Sequence, residues 1–117
     1  MSLQAIQSAI QQGVYFAGSH AQSAAIDDGL VVADIWLALL APHAIIIEEY
    51  LADSRGASCL ILCEINGQPV HVQIAYPAKW YATRQRIAAL AFMITVYRPN
   101  ARPHEWSVDY QTRLPQP

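Results

Sequence analysis

Histidine and tyrosine side chains lie in two β-prone segments beside a threonine and an arginine, and histidine, tyrosine and arginine are the residue types that metal-free RNA cleavage uses. His71 lies in segment 70–76, and Thr95 and Tyr97 lie in segment 92–98. Alternation places all three on the polar faces of their strands, so neighbouring strands would bring them into one patch. In such a site one group takes the proton of a ribose 2′-hydroxyl, and another protonates the leaving oxygen.

Cations and a second histidine could complete that patch by stabilising negative charge on a phosphate. Arg98 follows the last strand at a turn that Pro99 fixes, and His20 opens a predicted helix. Arg84 and Arg86 lie in a separate basic segment. Each residue type also has a structural interpretation: a strand histidine that hydrogen-bonds a neighbour, a tyrosine that covers a sheet edge, or an arginine that pairs with an acid.

No competing catalytic or metal-binding motif is present, since the chain has no glycine-rich phosphate loop, nucleophile elbow or paired-histidine zinc motif. Cys59 and Cys63 are four residues apart in a predicted strand, which separates their Cα atoms by about 13 Å, too far for a disulfide. Two cysteines are also a poor zinc signature. We therefore expect buried free thiols, no metal, no cofactor and a cytoplasmic location.

Charged residues are unevenly distributed along a chain of 117 residues, a length that fits a single domain. The net charge of −2 argues against wrapping of nucleic acid over the whole surface. Seven of nine acids lie between Asp27 and Glu64, whereas five of seven bases lie between Lys79 and Arg102. This separation predicts either a basic patch beside an acidic flank or two solvated faces. The most apolar stretch, 30–40, is too short to cross a bilayer.

The elements that would position these residues are helices followed by strands. Apolar spacing predicts a helix that Ser2 caps and Gly13 ends, a second over 20–28 and a third over 32–41, with a short edge strand at 14–16. After the third helix the apolar period changes to two, which predicts strands over 44–50, 58–65, 70–76 and 92–98. This order predicts an α+β fold, with N-terminal helices packed on an antiparallel sheet of about four strands.

Turn and core residues refine this prediction. Asn66-Gly67 indicates a two-residue hairpin turn, and segment 77–91 predicts either a helix or an irregular basic excursion. The expected core comprises Ile6, Ile10, Ile35, Trp36, Leu39, Ile46, Leu60, Leu62, Val72, Ile74, Ile94 and Val96. Strand 58–65 is apolar on both faces, so Cys59, Ile61 and Cys63 form an alternative inner set. In the last strand, Phe92 is expected to face inward with Ile94 and Val96.

Several pieces of this sequence resemble DUF4258, a bacterial family of domains of unknown function. They include "HA" at 20–21, "DIW" at 34–36, "PVHV" at 69–72 and "MITVYRPN" at 93–100, within a resemblance that runs from about 15 to 106. That family is commonly grouped with RelE-like toxins and with barnase-, EndoU- and colicin-like ribonucleases. The resemblance implies a RelE-like two-layer sandwich. The positions that match the family's motifs are His20, His71, Thr95, Tyr97, Arg98 and Trp106, the last as structural support.

The chain departs from the family pattern in two places that bear on function. The helix "HAQSAAIDDG" lacks the arginine that usually follows His-Ala, and segment 77–91 looks like an insertion, from which Arg84 or Arg86 could replace it. Two functions stay open. One is a toxin-like domain that cleaves RNA with His71, Tyr97 and an arginine. The other is a non-catalytic relative that binds a protein partner or forms a homodimer through its apolar edges.

Overall fold

A computed structural model describes all residues of the chain, from 1 to 117. The predicted α+β class is confirmed. The helices are α1 (Leu3–Gln11), α2 (Ser19–Asp27), α3 (Val32–Leu39) and the single turn α4 (Trp80–Thr83). The strands are β1 (Tyr15–Ala17), β2 (Ile45–Tyr50), β3 (Ser58–Ile65), β4 (Gln68–Ala75) and β5 (Ala91–Tyr97), and a 3₁₀ turn at Pro99–Ala101 follows. None of the helices is long and apolar enough to cross a membrane.

The sheet has five strands in the order β1-β5-β4-β3-β2. Its four long strands pair antiparallel, as predicted, but β1 pairs parallel to β5. The expected antiparallel sheet of about four strands is confirmed in β2 to β5, and β1 adds a fifth strand that makes the sheet mixed. The short edge strand predicted at 14–16 corresponds to β1. Its parallel pairing was not predicted, because its partner lies some 76 positions along the chain, in β5 (Tyr15 opposite Ala91).

Local signals in the sequence account for several element boundaries. The Ser2 hydroxyl accepts a hydrogen bond from the Ala5 backbone N–H at 3.1 Å and so caps α1. The Asn66-Gly67 turn is confirmed, with φ angles of 54° and 75° that suit a type I′ hairpin. That turn fixes the pairing of β3 with β4, which places His71 opposite Leu62.

The main core lies between α1, α2, α3 and one face of the sheet. We call this face the helix face and the opposite one the polar face. The alternative set on β3 faces the helices: Cys59, Ile61 and Cys63 belong to the main core. The expectation that Leu60 and Leu62 face the helices was wrong, because β3 is apolar on both faces and its sequence does not distinguish them. Leu60 is buried outside the main core and Leu62 is half-buried, as is Ile46.

The remaining residues of the expected core are buried in the structure: Ile6, Ile10, Ile35, Trp36, Leu39, Val72, Ile74, Ile94 and Val96. A β-bulge changes the orientation of one of them. The pairing of β4 with β5 skips Ile94, so Met93 and Val96 both reach the main core while Ile94 packs with Phe92 in a separate small cluster. The expectation that Phe92 and Ile94 face the helices was therefore wrong, because an extra residue interrupts the alternation.

Residues 77–90 form an excursion between β4 and β5 that is irregular apart from α4. Its two ends are joined by a hydrogen bond from the Ala78 N–H to the Leu90 carbonyl at 2.9 Å. The Lys79 N–H donates to the Arg55 carbonyl at 2.9 Å, and the Tyr81 hydroxyl donates to the Ser54 carbonyl at the same distance. The excursion is thus held against the loop between β2 and β3.

Candidate functional site

The structure brings His71 and Tyr97 together on the polar face. The β4–β5 register pairs these two residues directly. The Tyr97 hydroxyl lies 3.1 Å from His71 Nδ1, and the two rings meet edge to face at 5.3 Å between centroids. Thr95 lies on the same face opposite Gln73, half-buried. The predicted neighbourhood of His71, Thr95 and Tyr97 is therefore confirmed as geometry.

His71 is fully buried, and both ring nitrogens have partners. Nε2 lies 2.8 Å from the Tyr110 carbonyl oxygen, which can only accept, so Nε2 carries the proton. Nδ1 is then the acceptor for the Tyr97 hydroxyl. Burial lowers the pKa of His71 to about 4, because a charged imidazolium would lose its water. At neutral pH the ring is uncharged and has no free nitrogen with which to take a proton from a substrate.

The segment that covers His71 is the C-terminal segment, residues 99–117. Trp106 is almost completely buried, and its indole meets the His71 imidazole edge to face at 4.3 Å between centroids. A bridge between Trp106 and Arg113 closes a loop that presents the Tyr110 carbonyl to His71. The Leu114 N–H donates to the Glu105 carbonyl at 2.8 Å and holds the base of this loop. The C-terminal segment therefore seals the polar face at His71.

Two arginines that the sequence analysis did not select lie beside the histidine–tyrosine pair. The guanidinium of Arg113 stacks 4.5 Å from the centroid of Trp106, and that of Arg102 stacks 4.3 Å from the centroid of Tyr97. Arg113 also donates to both carboxylate oxygens of Glu48 on β2, at 3.0 and 3.2 Å. Glu48 and Arg113 are 65 residues apart, and no local pattern in the sequence connects them.

The Glu48–Arg113 ion pair anchors the C-terminal segment to β2. Partial burial favours the neutral carboxyl, but hydrogen bonds from Arg113 and Tyr50 outweigh it and lower the pKa of Glu48. Burial, together with the hydrogen bond to Glu48, raises the pKa of Tyr50 to about 12. Tyr50 is therefore a neutral donor and Glu48 an ionised acceptor at neutral pH. The charge of Arg113 is satisfied within the protein.

None of the predicted phosphate-binding arginines is among the groups that contact the His71 ring, which are Tyr97, Trp106 and the Tyr110 carbonyl. The backbone N–H of Arg98 donates to a carboxylate oxygen of Asp28, and its Nε donates to the Asp28 carbonyl, both at 2.8 Å. Arg98 therefore links the end of β5 to the end of α2. Arg84 and Arg86 lie in the excursion, which follows β4. The last residue of β4 is four positions after His71, a distance of about 13 Å along the strand. The excursion leaves β4 at the end opposite the His71–Tyr97 pair, and the phosphate-binding role of the three arginines stays a prediction.

His20 is likewise separated from the pair. It is exposed on α2, and α2 packs against β5 on the helix face, where Ala21 and Ala25 join the main core. The sheet lies between His20 and His71, so the expectation that His20 reaches the polar face was wrong. No group of three or more histidine, cysteine, aspartate or glutamate side chains is placed to hold a metal ion.

A second surface is an apolar groove beside the free edge of β1, which we call the β1 groove. It has a volume of about 560 Å³ and is lined by Tyr15, Phe16, Ala17, Gln22, Ala25, Ile26, Leu30, Val31 and Val32. Eight of these nine residues are hydrophobic, and Ile26 is 76% exposed. Sequence reasoning missed the groove because it forms only when β1 pairs with β5 beside α2.

Residues 18–98 match the sequence model of the family described as Domain of unknown function (DUF4258). The match covers more than half of the chain, so the chain belongs to this family. The matched range contains the excursion and ends at Arg98, which leaves the C-terminal segment outside it. A search of curated proteins and a search of solved structures returned no match to the chain. The grouping with RelE-like toxins stays a prediction.

Proposed function

We propose that this DUF4258 domain is a non-catalytic protein-binding module and that the β1 groove is its binding surface. The observation that carries the proposal is the groove itself, which exposes a contiguous set of large apolar side chains beside an unpaired strand edge. Monomeric soluble proteins rarely leave such patches uncovered, and they commonly mark binding sites. A partner that covered Ile26 and Val31 would remove most of their apolar surface from water.

The state of His71 supports a binding role rather than catalysis. A general base needs a nitrogen that can approach the proton it abstracts. Both nitrogens of His71 are engaged by Tyr97 and Tyr110, and the C-terminal segment covers the ring. The two free, buried cysteines support a cytoplasmic location, where thiols stay reduced.

A pair of matched variants tests this proposal. Ile26→Glu places a charge inside the β1 groove, whereas Leu37→Glu makes the same kind of change on α3, where Leu37 is 68% exposed and outside the groove. Immobilised wild-type protein and each variant are incubated with a lysate of the cells that naturally carry the protein. We expect a protein that wild type and Leu37→Glu capture and Ile26→Glu loses. If Ile26→Glu, folded by circular dichroism, captures the same proteins as wild type, the groove is not the binding surface.

Metal-independent RNA cleavage of toxin type is the second candidate, and the His71–Tyr97 contact favours it. The hydroxyl and the imidazole are within hydrogen-bond reach, with Arg102 and Arg113 beside them. For a phosphodiester to reach His71, the C-terminal segment must move away from the ring.

The test of this candidate is incubation of mixed RNA with the protein in EDTA, beside His71→Ala and Tyr97→Phe. Cleavage that both variants lose would support the enzyme and oppose the binding-module proposal. Intact RNA at high protein concentration would oppose the enzyme. A Trp106→Ala variant, which loosens the cover over His71, extends the assay to a more accessible ring.

A further inference from the structure

The lysine and arginine side chains that have no charged partner are concentrated in the excursion. Lys79, Arg84 and Arg86 are exposed, and none of them takes part in a salt bridge. Each of the remaining arginine side chains pairs with a carboxylate or donates to a backbone carbonyl: Arg55, Arg98, Arg102 and Arg113. The excursion therefore presents the basic charge that the fold itself does not use.

The excursion and the loop that it contacts supply no free carboxylate to neutralise this charge. Segment 77–90 contains no aspartate or glutamate, and segment 51–57 contains a single acid, Asp53. The Asp53 side chain is 7% exposed and accepts hydrogen bonds from the side chains of Arg55 and Ser58. The ligand that this surface attracts is therefore an anion.

Aromatic rings and cations line one cavity on the excursion, which we call the excursion cavity. It has a volume of about 510 Å³, and its lining includes Lys79, Trp80, Tyr81, Arg86 and Ile87. Trp80 and Tyr81 are each 52% exposed. The Arg86 guanidinium lies 4.6 Å from the centroid of the Trp80 ring, and the Lys79 ammonium lies 5.9 Å from that of Tyr81. The cavity thus offers a ring and a cation side by side to a ligand that is both aromatic and anionic.

Two residues of the excursion cavity also hold it in position. The Lys79 N–H and the Tyr81 hydroxyl both donate to backbone carbonyls of the loop before β3, at 2.9 Å. A site that is already ordered loses less conformational entropy when a ligand binds. The cavity shares no lining residue with the β1 groove, so the two are separate surfaces.

We infer that the excursion cavity binds an unpaired nucleotide of single-stranded RNA or DNA. The base would stack on an exposed ring, while Lys79, Arg84 and Arg86 would bind phosphates of the strand. A membrane surface is a poorer fit, because membrane-surface anchors place apolar and basic residues on opposite faces, whereas both kinds line this cavity. The inference goes beyond the proposed function and does not depend on the groove.

Fluorescence anisotropy tests the inference on the full chain, with end-labelled oligouridine and oligodeoxythymidine of about 12 nucleotides each. We expect saturable binding with a dissociation constant of about 100 μM or lower. A plot of log affinity against log salt concentration should have a slope of about −2, since three cations contact phosphates. Comparison of the two strands shows whether the ribose hydroxyl contributes.

Variants of exposed residues separate stacking from charge. Trp80→Ala should weaken binding about tenfold or more at every salt concentration, whereas Trp80→Phe should retain it. Arg86→Gln should weaken binding and make the salt slope shallower by about 0.7. Leu37→Glu lowers the net charge by the same single unit, outside the excursion, and should bind as the wild type does.

Three results would overturn the inference. The first is the absence of saturable binding to either strand, including the case in which the protein binds phosphatidylserine vesicles instead. The second is wild-type affinity in Trp80→Ala, which would reduce the contact to attraction between charges. The third is equal weakening by Arg86→Gln and Leu37→Glu, which would assign binding to net charge. None of them bears on the β1 groove, which the capture experiment with Ile26→Glu tests separately.

Discussion

Mild acidification should destabilise the domain through a single residue, His71. Its ring lies in a site that accepts only the neutral form, since Nε2–H donates to the Tyr110 carbonyl and Nδ1 accepts from Tyr97. Protonation would place a positive charge in a buried position, and the cost of removing that charge from water, with repulsion from Arg113 and Arg102, outweighs the attraction of the Glu48 carboxylate. In the unfolded chain the same histidine is solvated and protonates readily.

The direction and size of the change in the free energy of unfolding follow from the pKa of His71 in the unfolded and in the folded state. The pKa of His71 is lowered from 6.5 to about 4 on folding, so the unfolded state binds more protons between these values. The free energy of unfolding therefore falls as the pH falls, with the contribution of His71 complete above pH 6.5 and lost as the pH approaches 4. Between pH 7 and pH 5 the expected loss is about 2 kcal/mol.

The carboxylates of Asp53 and Glu48 affect the stability of the fold at a lower pH than His71 does. The pKa of Asp53 is lowered from 3.8 to about 2, chiefly by its hydrogen bond from Arg55, and that of Glu48 is lowered from 4.5. A lowered carboxyl pKa stabilises the fold above the unfolded value, and that stability is lost only as the pH falls further. The interval from pH 7 to pH 5 therefore reports on His71.

Urea denaturation at pH 7, 6 and 5 measures the effect in wild type, His71→Gln and His43→Gln. His43 is exposed, so His43→Gln serves as the control for the loss of a histidine outside the buried site. His71→Gln should have a lower free energy of unfolding than the wild type at pH 7. Its free energy of unfolding should change little between pH 7 and pH 5. A wild type that changes by less than about 0.5 kcal/mol over this interval, or a His71→Gln variant with the wild-type slope, would refute the reasoning.

Three further predictions concern packing. Trp106→Ala should lower the free energy of unfolding by about 3 kcal/mol or more in urea denaturation, because it removes the buried indole between His71 and Arg113; a loss below about 1 kcal/mol would show that the C-terminal segment is not packed on the polar face. Gly56→Ala should lower the melting temperature by several degrees, since Gly56 has φ of 112° and an added Cβ would lie 2.6 Å from the Pro77 carbonyl oxygen; an unchanged melting temperature would contradict that contact. Cys59 and Cys63 should react slowly with a thiol reagent in native protein and rapidly in urea, because burial raises the pKa of both thiols to about 12; rapid native labelling would contradict their place in the core.

The part of the site that was predictable depended on local patterns. Alternation through β4 assigned His71 to a face, and the Asn66-Gly67 turn fixed the register of that strand against β3. The last strand in the chain then paired beside β4 and carried Tyr97 to His71. Sequential antiparallel strands are usually neighbours, so this contact could be expected from the order of the elements.

The parts that could not be predicted depend on long-range contacts or on a single extra residue. The bulge at Ile94 cannot be recognised in the sequence, because the residues of this strand are apolar and can be buried on either face of the sheet. The cover over His71 comes from Tyr110, 39 residues away in a segment without helical or strand periodicity. Because the C-terminal segment covers His71, this candidate catalytic histidine is buried and hydrogen-bonded within the fold. Burial of this kind depends on the whole fold and not on the residues around position 71.

A capture experiment that compares the two surfaces tests the binding-module proposal most directly. Ile26→Glu alters the β1 groove, and Tyr97→Phe removes only the hydroxyl that meets His71 on the polar face. The proposal predicts a captured protein that Tyr97→Phe retains and Ile26→Glu loses. Retention by Ile26→Glu together with loss by Tyr97→Phe would place binding on the polar face and contradict it.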